Sequence, residues 1–371
     1  MGSDKPQLTG WRRWLQRIIA GLAIVLAIAA VLPFWQVDHW WVRILDFPRM
    51  QLGLAGLVLL LLLSLLVARY RGRRFLLIGS ILVAASIFQL SHVVPYFAPM
   101  PKSVGDVEGR CEGQNVTLLG INVLMDNRDY ARSLALIEAV DADIVLLTEM
   151  DAAWESALAP LNDRYPHRLG RALPNKYGMH LYSKLPFEGL VLARLQPDIP
   201  SIRAQMRLAN GDTFVFHGVH PEPPHPGEDS GERDAELVLV GREVRDDGGA
   251  AIVFGDLNDV AWSDTSQLFL EVSGMSDPRE GRRLMPTFHA DYPFMRWPLD
   301  HLFASEHWAL ANMDRLDDVG SDHFPVYFTL CLERDAESRL VRPQADADIE
   351  AEAREQLGEG LEEARSGDGE N

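Results

Sequence analysis

The stretch AIVFGDLND at residues 251–259 decides the fold class, because it joins an apolar run directly to a group of polar side chains. Ala251–Phe254 predicts a strand that is buried on both faces. Asp256 and Asn258 follow two residues apart, so an extended chain would present both on one side. Asp256 is a candidate to bind a metal or to take a proton from water, and Asn258 to donate to a phosphoryl oxygen.

A second short motif, Ser321-Asp322-His323, precedes the last apolar run. Asp300 is placed to orient His323 through a carboxylate–imidazole hydrogen bond, which would fix the tautomer of the ring. His220 follows another strand and is a candidate to protonate a leaving group or to hold a phosphoryl oxygen. Taken singly, each of these residues also fits a structural role, since turns use the same residue types. The remaining histidines, His301 among them, are assigned structural roles.

Two polar residues further upstream suit a metal site. Glu149 follows the apolar strand Ile144–Thr148, so its carboxylate is expected at the edge of a sheet. Asn122 lies inside the predicted strand Val116–Val123, where a buried amide must be hydrogen-bonded. Mg²⁺ takes hard oxygen ligands and keeps several waters, so one or two carboxylates suffice to bind it. The alternatives are a solvated strand end for Glu149 and a structural network for Asn122.

Seven segments occur in the order found in the endonuclease/exonuclease/phosphatase superfamily, which includes DNase I and the neutral sphingomyelinases. They are Asn122, Glu149, YGMHLYSK (177–184), His220, GDLND (255–259), LDHLFAS (299–305) and GSDHFPV (320–326). The chain resembles this family over residues 115–332. The resemblance implies an α+β fold, a four-layer α/β sandwich in which two packed mixed sheets are flanked by helices and the site lies at one end.

The resemblance also implies roles for the candidate residues. It implies Mg²⁺ or Mn²⁺ at Glu149, shared with Asn122, Asp256 or Asp322, with Asp300 supporting His323, and with Asn258 and His220 on the phosphate. The predicted metal ligands are Asn122, Glu149 and Asp322, and the predicted catalytic residues are His220, Asp256, Asn258, Asp300 and His323. Which residue acts as the general base is left open.

The expected function is a metal-dependent phosphoester hydrolase acting on nucleic acid, a lipid head group or a small phosphoester. Lys176 and Lys184 are the two lysines of residues 111–331, and no Arg/Lys stripe is interleaved with aromatics. This weighs against a tight DNA binder. The alternative from another class is a catalytically silent, membrane-anchored binding or scaffold protein on the same fold. A transporter is disfavoured, because the apolar runs carry charge only near their ends.

Residues 1–100 are expected to lie in a lipid bilayer. Three apolar runs, at about 14–34, 50–68 and 75–97, are each long enough to cross about 30 Å of hydrocarbon as a helix. We therefore expect three transmembrane helices. For the first run the alternative is a cleaved signal peptide, since Ala-Ile-Ala-Ala at 27–30 resembles a cleavage site.

The arginines predict the orientation in the membrane. Arg12, Arg13 and Arg17 precede the first run, and four more lie within 69–74, whereas Arg43 and Arg49 in the other loop are offset by Asp38 and Asp46. Basic residues mark the cytoplasmic side. The resemblance is to a bacterial membrane-anchored branch of the superfamily. The expected location is therefore the bacterial inner membrane, with a cytoplasmic amino terminus and a periplasmic catalytic domain.

The remaining segments are assigned by composition. Residues 101–114 are predicted to be a linker, and residues 333–371, with thirteen carboxylates and five arginines, an exposed helical or disordered acidic tail. The cysteines Cys111 and Cys331 bracket the catalytic domain. They fit either one disulfide formed in an oxidising compartment or two unrelated thiols.

Overall fold

The computed structural model describes residues 10–35, 37–67, 73–107, 111, 114–226, 229–333 and 345–367. The chain divides into two compact units, Met1–Pro95 and Tyr96–Asn371, and each is described by itself. Arg69 and Arg71 of the predicted Arg-rich loop, and residues 334–344 of the predicted tail, lie outside the described residues.

The first unit is helical. Its described helices are α1 (Gly10–Val31), α2 (Trp40–Arg43), α3 (Arg49–Val67) and α4 (Arg73–Val93), with 3₁₀ turns at Leu32–Trp35 and Val94–Tyr96. α1, α3 and α4 pack around a cluster that includes Ile19, Leu63 and Leu82. Other large apolar side chains of these helices, such as Leu61 and Leu76, are exposed.

Helices form over all three segments predicted to cross a membrane, but two of them meet the requirements of length and apolar composition. These two are Gly10–Trp35 and Arg73–Tyr96, and the third apolar helix, Arg49–Leu65, is shorter. At 1.5 Å per residue, a helix of that length covers about 25 Å, less than the roughly 30 Å of a hydrocarbon core. The expected three spans are therefore corrected to two candidate spans.

The acidic and basic residues between α1 and α3 pair with one another. Arg43 donates to Asp38 at 3.3 Å, and Arg49 forms an ion pair with Asp46. Arg49 also donates to the side chain of Gln89 at 3.4 Å. The offset of charges noted in the sequence thus takes the form of direct ion pairs.

The second unit contains the strands. They are β1 (Asn115–Asn122), β2 (Ile144–Thr148), β3 (His167–Arg171), β4 (Met179–Ser183), β5 (Phe187–Leu192), β6 (Ser201–Arg207), β7 (Thr213–Val219), β8 (Ala251–Asp256), β9 (Asp300–Ala304), β10 (Trp308–Arg315) and β11 (Val326–Leu332). Its helices are α5 (Tyr130–Val140), α6 (Ala152–Ala157), α7 (Gly231–Asp247), α8 (Asp264–Ser273) and α9 (Ala347–Gly367), with a 3₁₀ turn at Ala159–Asn162.

The strands form two mixed sheets. One has the order β10-β11-β1-β2-β4-β3 and the other β5-β6-β7-β8-β9. Each sheet contains one parallel pair, β1 with β2 and β7 with β8, and its other neighbours are antiparallel. β2, β4, β8 and β9 are buried along their whole length, as expected for strands covered on both faces.

The apolar cores define four layers. Phe254 and Phe328 belong to the core between the two sheets. Trp154 of α6 belongs to a second core, which α5 and α6 form against the first sheet. Phe269 of α8 belongs to a third, which α7 and α8 form against the second sheet. The predicted α+β architecture of two packed mixed sheets flanked by helices is confirmed.

Cys111 and Cys331 form a disulfide, with their Cα atoms 5.8 Å apart. It links the segment before β1 to β11, which is the antiparallel neighbour of β1. Part of the predicted linker belongs to the second unit and packs within it. Ser103 Oγ donates to Asp277 O at 2.6 Å, and Leu310 N donates to Gly105 O at 2.8 Å.

The acidic segment after β11 contains α9, so its described part takes the helical alternative. Ala353 of α9 is fully buried and packs with Val238 of α7 and Leu268 of α8. Gly360 lies so close to α7 that a Cβ there would meet Ala235 Cβ at 2.4 Å. An apolar stripe on an otherwise acidic helix thus covers the outer helical layer.

Candidate active site

The two parallel strand pairs bring four of the predicted residues to one end of the sandwich. Asn122 ends β1, and Glu149 follows β2 directly, with Asn122 paired to Thr148 in the register of these strands. In the other sheet, His220 follows β7 and Asp256 ends β8. Because parallel strands end at the same edge of a sheet, each pair delivers two polar residues side by side.

Asn122 joins the two sheets. Its side-chain nitrogen donates to Glu149 Oε1 at 3.1 Å and to Asp256 Oδ2 at 3.0 Å, while its oxygen accepts from Leu124 N at 3.0 Å. The residue is 2% exposed. A buried amide whose three contacts are all satisfied holds its neighbours in a defined arrangement. The carboxylates of Glu149 and Asp256 therefore lie on either side of the Asn122 nitrogen and border the same space.

The backbone of Glu149 adopts a left-handed conformation with φ 61°. This conformation is uncommon for a residue other than glycine and costs free energy, so it is kept where the surroundings require it. Glu149 Oε2 accepts from Met125 N at 3.0 Å, which fixes the second oxygen of the carboxylate. The side chain is half-buried at the edge of the sheet, as the sequence predicted.

His323 lies between two buried carboxylates. Its Nδ1 is 2.8 Å from Asp300 Oδ2, and its Nε2 is 3.5 Å from Asp256 Oδ2. Asp256 and Asp300 are opposite one another in the antiparallel pair of β8 and β9. The predicted support of His323 by Asp300 is thus present in the geometry.

These three groups shift one another's protonation. Burial lowers the pKa of His323, but the charges of Asp256 and Asp300 outweigh burial and raise it to about 10. Burial likewise raises the pKa of Asp300, but the charge and the hydrogen bond of His323 prevail and hold it below its ordinary value. For Asp256 burial prevails over the attraction of His323, and the pKa is raised. The imidazolium form of His323 is therefore favoured at neutral pH.

His220 is buried beside the same carboxylate. Its Nε2 lies 3.7 Å from Asp256 Oδ2, and its ring centroid is 5.6 Å from that of Tyr177. Burial lowers the pKa of His220, against the opposing charge of Asp256, and the charge of His323 lowers it further. A neutral His220 therefore stands next to a charged His323.

Asn258 is held in a tight turn after β8. Its backbone has φ 50°, its amide N–H donates to Asp256 Oδ1 at 2.9 Å, and its side-chain nitrogen donates to Pro221 O at 2.9 Å. A carboxamide nitrogen carries two hydrogens. One is used by Pro221, and the second can serve a ligand.

Asp322 is half-buried at the rim of the site. Its carboxylate accepts from Ser321 Oγ at 3.4 Å, and its backbone oxygen accepts from Ala290 N at 2.7 Å. Among the described residues, the structure gives the Asp322 carboxylate no hydrogen bond or ion pair to Glu149. Of the eight predicted site residues, it is the one that these contacts do not link to the others.

Two groups of side chains could hold a cation. Asp256, Asp300 and His323 each offer one ligand atom, and these atoms lie within 4.8 Å of one another. His323 would first have to lose a proton that both carboxylates stabilise. Glu149 and Asp256, by contrast, offer hard oxygen atoms on either side of Asn122, and this donor set fits a divalent cation such as Mg²⁺.

A buried polar network behind the site was not predicted. Arg279 pairs with Asp277 at 2.7 Å, donates to Asp300 O at 3.3 Å, and lies 2.7 Å from His301 Nδ1. His301 Nε2 lies 2.9 Å from Asp259 O. The guanidinium can only donate, so His301 accepts at Nδ1 and donates at Nε2, which is the neutral tautomer.

A second buried arginine supports the turn after β8. Arg233 pairs with Asp234 at 2.8 Å and with Asp259 at 3.4 Å, and it donates to Asn258 O at 3.3 Å. Both arginines thus hold backbone oxygens of predicted site residues. Neither gave a sequence signal, because Arg279 lies in a turn-like Ser-Asp-Pro-Arg segment and Arg233 in a charged first helical turn.

A sequence comparison identifies a family for this chain. A sequence model of the Endonuclease/Exonuclease/phosphatase family matches residues 119–323, more than half of the chain. No curated protein matches the chain.

Solved structures with similar folds include an endonuclease/exonuclease/phosphatase from Beutenbergia cavernae DSM 12333 (20% identity, TM-score 0.49, 59% of this chain and 72% of that chain). A family protein from Bacteroides thetaiotaomicron matches at 19% identity and a TM-score of 0.49, over 59% of this chain and 98% of that chain. TDP2 from D. rerio, complexed with a single-strand DNA product, matches at 17% identity and a TM-score of 0.49, over 58% of this chain and 98% of that chain. On the strength of the family match, the chain belongs to the endonuclease/exonuclease/phosphatase family.

Proposed function

We propose that the chain is a divalent-metal-dependent phosphoester hydrolase anchored to a membrane by residues 1–100. Family membership supports the hydrolase, and one observation carries the site. Asn122 hydrogen-bonds the carboxylates of both Glu149 and Asp256, and Asp256 lies beside a His323 that Asp300 holds. Oxygen ligands and a positive donor are thereby directed at one space, as hydrolysis of an anionic ester requires.

Glu149 and Asp256 are the side chains that we assign to the cation. Asn122 presents its nitrogen to these carboxylates, so its role is to orient them. A divalent cation bound there would neutralise charge on the phosphoryl oxygens and stabilise the leaving oxygen.

The other residues handle protons and orientation. Asp256, whose carboxylate lies beside His323, takes the proton of the attacking water. His323 donates from Nε2 to a phosphoryl oxygen, and Asp300 keeps its ring oriented through Nδ1. His220 and the free hydrogen of the Asn258 amide hold further phosphoryl oxygens.

We further propose that the second unit is extracytoplasmic. The Cys111–Cys331 disulfide supports an oxidising compartment. The candidate spans Gly10–Trp35 and Arg73–Tyr96 support the anchor. With two spans, the amino terminus is on the same side as the second unit. The arginines near the amino terminus favour a cytoplasmic location for it, so labelling of an amino-terminal tag in intact cells decides the orientation.

The test of the activity uses the full chain reconstituted in phosphatidylcholine nanodiscs. Hydrolysis is measured with Mg²⁺, Mn²⁺ or EDTA on DNA, RNA, phospholipids and bis-p-nitrophenyl phosphate. We expect cleavage that depends on the metal and falls about 10³-fold in Asp256→Asn, since a positioned base contributes 10²–10⁴-fold. Asp314→Asn, at an exposed carboxylate of the same unit, is the matched control.

The outcome that contradicts the proposal is a folded wild type without turnover on any substrate, or an Asp256→Asn variant of full activity. The first result would favour a silent binding or scaffold protein on this fold. The second would mean that the base lies elsewhere.

A further inference from the structure

The loop of residues 289–297 concentrates exposed apolar side chains. Phe294 is 89% exposed, Tyr292 57% and Met295 54%. In the described part of Tyr96–Asn371, the other exposed large apolar side chains are Leu190 at 53%, Phe97 at 44% and Met100 at 37%. Three neighbouring side chains of this kind form a patch typical of a contact with a partner or a membrane.

The base of the 289–297 loop is attached to the candidate site. Ala290 N donates to Asp322 O at 2.7 Å. Phe288, which precedes the loop, forms a β-bridge with His323, and their rings are 4.9 Å apart. His289 N donates to Met295 O at 2.9 Å and closes the loop. The apolar tip therefore projects from the rim of the site.

Positive charge surrounds the base of this loop. The guanidinium groups of Arg296 and Arg315 lie 4.9 Å and 4.2 Å from the ring centroid of Phe324, the residue after His323. Burial, followed by the charges of Arg296 and Arg283, lowers the pKa of Arg315. Arg296 and Arg283 thus repel Arg315, and Asp314, which pairs with Arg283 at 2.9 Å, offsets part of this repulsion. Anionic groups outside the chain would offset the rest.

We propose that the 289–297 loop inserts Tyr292, Phe294 and Met295 into a phospholipid bilayer, so that the arginines at its base lie at the level of the lipid phosphates. An apolar tip above a basic base is the arrangement that suits a bilayer interface. This proposal rests on the proposed function, since it supplies phospholipid head groups as the substrate class of that site.

The net charge of the chain favours a lipid surface over nucleic acid as the binding partner of the 289–297 loop. The chain carries a formal net charge of −18. Such a charge repels a polyanion at long range, and binding to nucleic acid depends on phosphate neutralisation. Insertion of apolar side chains into a bilayer depends on buried area instead. The candidate spans in the same chain would also hold the second unit near a bilayer.

The first test places a fluorescent probe on the loop of the full chain in phosphatidylcholine liposomes. Phe294→Cys is labelled with nitrobenzoxadiazole, and Cys111 and Cys331 do not compete because they are paired. Leu190→Cys is the matched control, since β5 is the opposite edge of its sheet from β9. We expect emission at Phe294→Cys to shift to shorter wavelength and to be quenched by lipids carrying nitroxide on their acyl chains. The control should show neither effect.

Salt and nucleic acid separate the two possible occupants. The lipid signal at Phe294→Cys should persist between about 0.05 and 0.5 M salt, because apolar insertion is weakly screened. The proposal is contradicted if the emission of the probe at residue 294 shows, in the presence of liposomes, that the probe remains in water. It is also contradicted by a probe that responds instead to a single-stranded oligonucleotide and loses that response as salt rises, which would assign the loop to nucleic acid.

The second test uses activity. Phe294→Asp should lower the ratio of phospholipid hydrolysis in liposomes to hydrolysis of bis-p-nitrophenyl phosphate by about tenfold, the effect of losing one buried aromatic side chain. Leu190→Asp should leave the ratio unchanged. An unchanged ratio in Phe294→Asp contradicts the role of the loop in substrate access.

The two tests distinguish the failure of this proposal from that of the proposed function. Insertion of the probe without hydrolysis of any phosphoester would contradict the proposed hydrolase activity and support insertion of the 289–297 loop. Hydrolysis, combined with a probe at residue 294 that behaves like the one at residue 190, would contradict insertion of the loop and support the hydrolase activity.

Discussion

Asp300 and His301 are neighbours in β9 and lie on opposite faces of the sheet. The buried histidine on one face has a raised pKa, and the buried histidine on the other face has a lowered pKa. On the site face, Asp300 and Asp256 surround His323 and raise its pKa to about 10. On the other face, burial and then Arg279 lower the pKa of His301 to about 3. Both rings are buried, so burial alone does not set their charge. The neighbouring charges decide whether a buried imidazole holds a proton.

The largest expected effect comes from removing the charge of Asp300, which favours the protonated form of His323. Asp300→Asn keeps the shape and a hydrogen-bonding group but removes the carboxylate paired with His323. We expect turnover of bis-p-nitrophenyl phosphate to fall about 10³-fold while the fold is kept. Turnover within threefold of wild type would mean that Asp300 does not set the charge of His323.

The next effect comes from breaking the pairing on the other face. Arg279→Met leaves the buried Asp277 carboxylate without its partner and His301 without its donor. Loss of one member of a buried pair costs about 3–5 kcal/mol. The free energy of unfolding of the second unit, measured with denaturant, should fall by that amount. The double variant Asp277→Leu with Arg279→Met should recover part of the loss. A single variant of wild-type stability would show that the network is dispensable.

A smaller effect should appear as a dependence of stability on pH. The folded pKa of His301, about 3, lies below the ordinary 6.5. Its contribution is therefore complete above pH 6.5 and is lost as the pH falls from 6.5 toward 3, where the unfolded chain alone takes up the proton. Between pH 7 and 5 this amounts to about 2 kcal/mol. In His301→Gln, the side-chain amide can still accept and donate a hydrogen bond but does not titrate. Between pH 7 and 5, the free energy of unfolding of this variant should fall by about 2 kcal/mol less than that of wild type. Equal slopes would contradict a neutral His301.

The smallest effect is expected at an exposed pair. Arg132 and Asp318 lie 3.4 Å apart with 50% and 38% of their side chains exposed. Arg132→Ala should change the free energy of unfolding by less than about 0.5 kcal/mol, because water screens the pair. A change comparable to that of Arg279→Met would undermine the distinction between buried and exposed pairs.

Strands that are buried along their whole length were predictable, and strands with several exposed residues were not. The strand predicted at Ile144–Thr148 occurs with those bounds, and the one predicted at Ala251–Phe254 continues to Asp256 as β8. The missed strands, β3, β5, β6 and β10, all contain exposed residues. A strand with little burial carries a weak apolar signal, so its sequence resembles a loop.

The site was predictable to the extent that it depends on strand ends. Asn122, Glu149, His220 and Asp256 follow from apolar runs that end in a polar residue. The support by Arg279 and Arg233 was not predictable, because it joins turns and helices that meet only in the folded chain. The same holds for the arginines around Phe324, which are spread over residues 283–315. The sequence alone therefore suggested no basic surface.

The disulfide between Cys111 and Cys331 also affects how the second unit responds to proteolysis. It closes a ring that contains the sequence from the segment before β1 to β11. A single cut in any exposed loop between these cysteines leaves one covalent molecule. β1 and β11 stay joined at the centre of their sheet, and both fragments remain linked to the amino-terminal helices. Nicking alone would thus not release the candidate site residues from the amino-terminal helices.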